Sequence, residues 1–269
     1  MRTTNNKFLL AVGLSFASVA VFAFRSRESV LERRGFPVVS PIAAKLSALP
    51  PTILWAWERP EKFDFIDPRT VGVAFLAKTI YLRGVNVVTR PRLQPLNVPD
   101  GTMLIAVARI ESDRHERPQL TQSQIDATAA ELIALAHRPN IAALQLDFDA
   151  TVSERDFYRR LLIEVHEKLP NGIPLSITAL ASWCEGDRWL SGLPIDEAVP
   201  MLFRLGVEKR QFASRLRSGE KLRAVSCQTA AGVSTDELIV LPAVNRLYLF
   251  NPRAWRQRSF SDAMEAYHR

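Results

Sequence analysis

The stretch AALQLDFD, residues 142–149, decides the fold. It is a short apolar run that ends in two aspartates, and similar runs recur along the chain between longer amphipathic or charged stretches. This alternation indicates repeated β-α units, and continuous apolar strands are typical of a parallel sheet covered on both faces. The eight strand candidates are residues 53–57, 71–76, 103–109, 142–148, 175–179, 198–203, 224–228 and 247–250.

Helices are predicted in several of the intervals between these strands. Residues 123–137 and 154–168 each place apolar side chains on one face, and shorter helices are expected over 209–216 and 260–267. Residues 81–100, by contrast, are expected to form a loop. Eight strands over about 215 residues favour a single α/β domain, a (β/α)8 TIM-like barrel, over a doubly wound sheet.

An apolar segment precedes the predicted barrel. Residues 8–24, FLLAVGLSFASVAVFAF, carry no charge and are flanked by basic residues, which is typical of a signal peptide or a membrane anchor. We therefore divide the chain into a signal peptide or anchor (1–24), a proline-containing linker or N-terminal cap (25–52) and the barrel domain (53–269). The expected location is periplasmic or secreted, or the inner membrane if residues 8–24 are retained as the protein's one membrane contact.

Composition and charge narrow the class of protein. Hydrophobic residues make up 47% and charged residues 23% of the chain, which excludes a disordered, collagen-like or multi-span membrane protein. The formal net charge of +7 permits an anionic partner, and seven basic residues lie between 204 and 223. Because that stretch follows an export signal, we interpret it as a solvated helix face and expect no nucleic-acid partner.

Polar residues are concentrated where the predicted strands end, which is where barrel enzymes carry their chemistry. Asp147 and Asp149 alternate on one strand and should face the same way, into the barrel mouth. Two neighbouring carboxylates cannot both ionise easily, so their pKa values separate into those of an acid and a base. Glu58 and Glu111 are the further catalytic candidates, since glycosidic hydrolysis needs two carboxyl groups. Alternatively, the aspartates cap a helix or pair with an arginine.

Other strand-end residues are candidates for binding the substrate. The tryptophans could stack on sugar rings or could simply pack in the core, and the arginines could neutralise the carboxylates. These candidates are Trp55, Trp57, Arg109, Trp183, Arg204, Gln228 and Asn251.

The sequence contains none of the spacings typical of a zinc site, a dinucleotide-binding or P-loop, or a Ser-His-Asp hydrolase. We therefore expect no metal and no cofactor. Cys184 and Cys227 could form a disulfide in an oxidising compartment or remain as two buried thiols.

Several segments together resemble the bacterial family known as domain of unknown function 3142. They are LWAWERP (54–60), VGVAFLA (71–77), QLDFDA (145–150) followed by Arg155 and Phe157-Tyr158, LSITALASWC (175–184), LPIDEAVPM (193–201) and FRLG (203–206). The resemblance covers about residues 50–252. It implies a barrel of the glycoside-hydrolase kind and export in Gram-negative bacteria, but it brings no established activity.

Asp147 and Asp149 also resemble the last two aspartates of the DxxDxDxE signature of chitinase-like glycosidases. Thr151 stands in the place of that family's acidic glutamate, and Leu144 in the place of its first aspartate. Another carboxylate must then serve as the acid, or no hydrolysis occurs. The leading hypothesis is an exported glycoside-hydrolase-like enzyme acting on a saccharide, and the alternative is a non-catalytic barrel that binds a glycan or an envelope component.

Overall fold

The computed structural model describes residues 46–206, 209–241 and 243–267, with side chains except for those of residues 209–211. Its strands are β1 (Thr52–Ala56), β2 (Glu61–Lys62), β3 (Val71–Arg83), β4 (Asn86–Pro91), β5 (Leu96–Asn97), β6 (Leu104–Ser112), β7 (Ile141–Asp147), β8 (Leu175–Leu180), β9 (Glu197–Met201), β10 (Ala230–Ser234) and β11 (Arg246–Phe250). Its helices are α1 (Gln122–Ala136), α2 (Arg155–Lys168), α3 (Ala181–Glu185), α4 (Lys209–Arg217) and α5 (Gln257–Tyr267).

Eight of these strands form a closed parallel barrel in the order β1-β3-β6-β7-β8-β9-β10-β11. The barrel closes at β1, because Thr52 pairs with Val71 of β3 on one side and with Leu247 of β11 on the other. The predicted barrel is therefore confirmed, and a doubly wound sheet, which stays open, is excluded. Strand β4 runs antiparallel to the second half of β3, and β2 pairs with β5 in a separate two-stranded sheet.

The complement of helices is smaller than a strict (β/α)8 pattern predicts. Within the described part of the chain, α-helices follow β6, β7, β8, β9 and β11. The connection from β3 to β6 contains β4, which forms a hairpin with β3, and the short strand β5. The loop predicted over 81–100 is therefore wrong where these strands lie. Gly84, with a φ of 51°, lies in the tight turn between β3 and β4, where a left-handed residue is needed.

Six of the eight strand predictions match the structure to within three residues at each end. The second, 71–76, begins at the correct residue but is seven residues too short, and the seventh, 224–228, is wrong. Residues 224–228 contain a 3-10 turn, Val225–Cys227, and the seventh barrel strand is β10, which begins at Ala230. The strand sequence AAGVS is composed of small residues and gives a weak apolar signal. Small side chains are needed here, because a Cβ on Gly232 would lie 3.3 Å from the Pro200 carbonyl oxygen of β9.

Two apolar layers fill the domain. The inner layer lies inside the barrel and includes Ile53, Trp55, Ile105, Val107 and Val199, with Leu49 packed against it from the N-terminal side. The outer layer lies between the strands and the helices, where α1 and α2 bury one face each. Helix α1 begins where the sequence predicts, because Thr121 accepts a hydrogen bond from the backbone of Gln124 in a capping box.

A buried ion pair lies inside the barrel near the amino ends of the strands. Arg246 Nη1 donates to Glu197 Oε1 at 2.5 Å, and the Tyr248 hydroxyl donates to Glu197 Oε2 at 2.7 Å. The Arg246 guanidinium also donates to the carbonyl oxygens of Leu46 and Pro50. The last strand of the barrel thereby binds the segment that leads into the first strand.

Cys184 and Cys227 form a disulfide, with their Cα atoms 6.0 Å apart. Of the two alternatives that the sequence left open, the structure shows the bonded one. The bridge joins α3, at the end of β8, to the 3-10 turn before β10. It therefore fixes the position of a short helix beside the barrel mouth.

The predicted signal or anchor segment, residues 1–24, and most of the predicted linker lie outside the described residues. Across the residues that are described, no helix is both long and apolar enough to span a membrane.

Candidate functional site

A cavity of about 540 Å³ opens at the carboxyl ends of the barrel strands, and we call it the main cavity. Its walls come from strands on every side of the barrel mouth. Its lining residues include Trp55, Trp57, Arg109, Asp147, Asp149, Glu185, Phe203, Arg204, Arg215 and Phe250.

Arg109, near the end of β6, connects three carboxylates at the edge of this cavity. Its Nη1 donates to Asp147 Oδ2 at 2.7 Å and its Nε donates to Glu111 Oε1 at 2.7 Å, while Nη2 lies 3.8 Å from Asp149 Oδ2. A planar guanidinium offers donors in several directions at once, so it can hold a group of anions that would otherwise repel one another. The proposed acid cluster is thus organised around one cation.

The two aspartates lie in different environments. Asp147 is the last residue of β7, and its side chain is only 7% exposed. It accepts a second hydrogen bond, on Oδ1, from the Thr178 hydroxyl of β8 at 2.8 Å. Both oxygens of this carboxyl group therefore accept a hydrogen bond, one of them from a cation.

Asp149 lies two residues beyond Asp147, past the end of the strand, and its side chain is 58% exposed toward the cavity. Partial removal from solvent in the recess raises the pKa of Asp149, and the neighbouring charges of Asp147 and Glu111 add to this effect. Arg109 opposes it, but at 3.8 Å it does not cancel it. Asp147 is thus buried between two hydrogen-bond donors, while Asp149 is a carboxyl group that keeps its proton more readily, as a general acid must.

Aromatic rings form one wall of the main cavity. Trp55 and Trp57 stack with ring centroids 5.8 Å apart, and Phe203 and Phe250 stack with centroids 5.4 Å apart. The Arg109 guanidinium lies 5.6 Å from the centre of the Trp57 ring. Trp57 is half-buried and exposes part of its ring to the cavity, whereas Trp55 is buried and donates from Nε1 to the Gln145 side chain.

A second cavity of about 880 Å³, which we call the side cavity, adjoins the first. Arg109 and Asp149 line both cavities and therefore stand at their junction. The side cavity is the more polar of the two, and its other lining residues include Glu111, Ser112, Arg114, Arg117, Thr151 and Ser153.

Of the residues predicted to form the site, most are brought together at the two cavities. Asp147, Asp149, Arg109, Trp55, Trp57 and Arg204 line the main cavity, and Glu111 lines the side cavity. Arg204 has a left-handed backbone conformation, with a φ of 58°, and its guanidinium pairs with Asp236 and Glu237 on the next strand connection.

Four predicted residues lie elsewhere. Glu58 pairs with Arg90 on β4 at 2.7 Å and lines neither cavity, and Trp183 is buried against Trp189 with ring centroids 4.8 Å apart. Gln228 donates to the Leu222 carbonyl oxygen, and Asn251 is buried with Thr235 donating to its amide oxygen. Trp183 faces the core because the chain turns directly from β8 into α3, and Gln228 precedes the true seventh strand.

The structure adds residues that the sequence reasoning missed. Glu185 of α3 lines the main cavity and pairs with Arg215 of α4, which lines it as well. Thr178, which holds Asp147, lies within the apolar run of β8 and carries no distinguishing pattern. Glu185 could have been identified as a site candidate from the sequence, because it is a polar residue in the short segment that follows a predicted strand.

No group of three or more histidine, cysteine, aspartate or glutamate side chains suited to a metal ion occurs in the described part of the chain. Thr151, which stands where chitinase-like enzymes carry their acid, caps a short 3-10 turn, and its hydroxyl donates to Glu154.

Comparison with known proteins gives a limited match. No curated protein sequence matches this chain. Among solved structures, the Bacillus cereus spore cortex-lytic enzyme SleL matches with a TM-score of 0.44 and 14% sequence identity, over 68% of this chain and 51% of that one. The chain thus spans about half the length of SleL. Residues 100–202, which include Arg109, Asp147 and Asp149, match the model of the family described as Domain of unknown function (DUF3142), and the resemblance inferred from the sequence is confirmed over these residues.

Proposed function

We propose that this protein hydrolyses a glycosidic bond of a saccharide at the junction of its two cavities. One observation carries the proposal: a single arginine holds a buried, doubly hydrogen-bonded aspartate beside a second aspartate whose pKa is raised, next to an aromatic wall. Glycoside hydrolysis needs two carboxyl groups with different protonation states, and sugar rings stack on aromatic faces.

The environments suggest a role for each carboxyl group. Asp149 would donate its proton to the leaving-group oxygen as the bond between that oxygen and the anomeric carbon breaks. Asp147, which accepts hydrogen bonds from Arg109 and Thr178, would stabilise the positive charge that develops on the sugar ring. Water would add to the anomeric carbon and lose its proton to Glu111, which remains as the partner carboxylate because Glu58 lies outside both cavities.

The second candidate is a barrel that binds a glycan without cleaving it. Two observations favour it: both oxygens of Asp147 already accept hydrogen bonds from the protein, and Thr151 occupies the place of the acid in the chitinase-like signature. In this case the same aromatic wall and carboxylates would hold the ligand.

The two candidates are separated by product release. Mature protein would be screened against bacterial and plant polysaccharides beside Asp147→Asn and Asp149→Asn, with Glu58→Gln as a matched carboxylate control outside the cavities. We expect Asp149→Asn to lower turnover by about 100-fold or more while Glu58→Gln keeps it. If wild type and both aspartate variants bind a glycan equally and none releases product, the hydrolase proposal fails and the binding module remains.

We also propose that the protein works outside the cytoplasm, periplasmic or secreted, or anchored by residues 8–24. The apolar N-terminal segment and the Cys184–Cys227 disulfide support this, since disulfides persist in oxidising compartments. Fractionation of a producing Gram-negative cell, followed by mass measurement of the chain, tests it. A full-length reduced chain in the cytoplasmic fraction would contradict it.

A further inference from the structure

We propose that the side cavity binds an acidic group of the substrate, so that the natural saccharide is an anionic glycan carrying carboxylate or phosphate groups. The inference rests on the proposed function and names the class of saccharide. It starts from the junction: because Arg109 and Asp149 line both cavities, a chain cut at an internal bond beside Asp149 has a cavity available on each side of that bond.

The two cavities offer different chemistry to the two ends of such a chain. On the main-cavity side, Trp57 and the Phe203–Phe250 pair present ring faces. On the other side, the wall includes two hydroxyl-bearing residues and two arginines, namely Thr151, Ser153, Arg114 and Arg117. One end is therefore suited to the faces of sugar rings and the other to their polar and charged substituents.

Arg114 and Arg117 are the free cations of the side cavity. Both are exposed, and no carboxylate among the described residues pairs with either of them. The carboxylates that line the side cavity have other partners: Glu111 and Asp149 face Arg109, Glu154 accepts from Ser112 and Thr151, and Asp113 pairs with Arg83. Glu116, which lies between the two arginines in the chain, is exposed and does not line the cavity. An incoming anion would not have to displace a protein carboxylate from these two arginines.

The loop that carries the two arginines is held in place. Asp113 accepts hydrogen bonds from the backbone N–H groups of His115 and Glu116, and these bonds together with Arg83 lower the pKa of Asp113 to about 2. Backbone hydrogen bonds join Gly84 of the β3–β4 turn to Glu116 and Gln119 on either side of Arg117. Guanidinium groups on a fixed loop lose less freedom on binding an anion than groups on a mobile one.

The test uses pairs of ligands that differ only in charge. Tetragalacturonate and hyaluronan oligosaccharides would be titrated by calorimetry against their own methyl esters, with chitooligosaccharides as a neutral series. The proteins are wild type, the double variant Arg114→Gln/Arg117→Gln and the control Arg138→Gln, an exposed arginine that lines neither cavity. Circular dichroism confirms that each variant is folded.

We expect wild type and Arg138→Gln to bind an acidic glycan about tenfold or more tightly than its ester, and the double variant to bind both equally. The preference should weaken as salt is raised, because the arginines are exposed.

If wild type binds or cleaves esters and acids alike, and the double variant does the same, the anionic subsite is refuted while hydrolysis stands. If wild type binds the acids but cleaves none, the subsite stands and hydrolysis fails. If it neither binds nor cleaves any glycan, both are refuted.

Discussion

At the scale of single residues, Asp147 and Asp149 show that two carboxyl groups close together in the chain can have different hydrogen-bond partners and different surroundings. Asp147 ends a strand between Arg109 and Thr178, while Asp149 lies past the strand end, where Arg109 only approaches it. Their common orientation follows from strand alternation and could be predicted from the sequence. Pairing with an arginine such as Arg109 is one of the alternatives that the sequence offers. The hydrogen bond from Thr178 and the unequal contact of Arg109 with the two aspartates could not be predicted, because they depend on how three strands that are distant in the chain pack together.

Asp149→Asn is expected to make the protein more stable at neutral pH. The pKa of Asp149 is raised in the folded state, so folding disfavours its ionised form and the free energy of unfolding falls as the pH rises above about 4. Asparagine does not ionise, so the variant lacks this destabilisation. The Tm of Asp149→Asn should therefore exceed that of wild type at pH 7, with a smaller difference at pH 4. Calorimetry at both pH values measures it, and an equal or lower Tm at pH 7 would contradict the assignment.

Thr178→Val is expected to destabilise the protein by about 1–3 kcal/mol, because it leaves one oxygen of a buried carboxylate without its donor. Thr178→Ser keeps the hydroxyl group and should lose much less. Urea unfolding of the three proteins measures the difference. If serine loses stability while valine keeps it, packing of the methyl group, and not the hydrogen bond to Asp147, stabilises this site.

Trp57 and Trp183 mark the limit of prediction from sequence at this scale. Both follow the end of an apolar run, and the sequence offered both as sugar platforms. Trp57 continues in extended backbone and reaches the main cavity, whereas Trp183 lies in α3 and is turned into the core. The local backbone after the strand decides between these outcomes, and that backbone depends on tertiary packing.

At the scale of elements, strands with bulky apolar residues could be located from sequence and the small-residue strand β10 could not. Gly232 is needed where β9 and β10 approach closely. This position therefore cannot carry a bulky apolar side chain, which would have identified the strand in the sequence. The strand predicted over 224–228 corresponds instead to the preceding 3-10 turn, which contains Val225. The β3–β4 hairpin was missed for a related reason, since β4 is a largely exposed strand rich in polar residues.

The disulfide should stabilise the protein through the loop it closes. Cys184 and Cys227 are 43 residues apart, and closing a loop of this size stabilises a fold by about 2–4 kcal/mol. We expect the free energy of unfolding of Cys184→Ser/Cys227→Ser, measured with urea, to be lower than that of wild type by this amount. Reduced wild type should show the same decrease. The same double variant should weaken glycan binding, because α3 carries Glu185 at the main cavity. Unchanged stability would mean that the bridge contributes only to local positioning.

At the scale of the whole molecule, several basic side chains already pair with acidic ones, so fewer of them can bind an anionic partner than the formal net charge of +7 suggests. Within the basic stretch 204–223, Arg204 pairs with Asp236 and Glu237, and Arg215 pairs with Glu185 and Glu220. Both arginines line the main cavity, so part of this stretch belongs to the site and not to an outer surface.

Arg246→Gln is expected to be among the most damaging single changes in the molecule. It would leave the Glu197 carboxylate, which is fully buried, without its cation, a change that costs about 3–5 kcal/mol. Arg258→Gln, which breaks only an exposed pair on α5, should change the free energy of unfolding by less than about 0.5 kcal/mol. Adding Glu197→Gln to Arg246→Gln should restore part of the loss, and an unchanged urea midpoint for the single variant would contradict the prediction.

The closure of the barrel through β1 has a consequence for how the protein is made. Strand β1 forms one of its two ladders with β11, and Arg246 of β11 binds the segment that precedes β1. A ribosome releases the amino-terminal strand first and the last strand only near the end of translation. We therefore expect the nascent chain to stay unclosed until residues 246–250 emerge, which would keep it in a state that a translocation channel can thread.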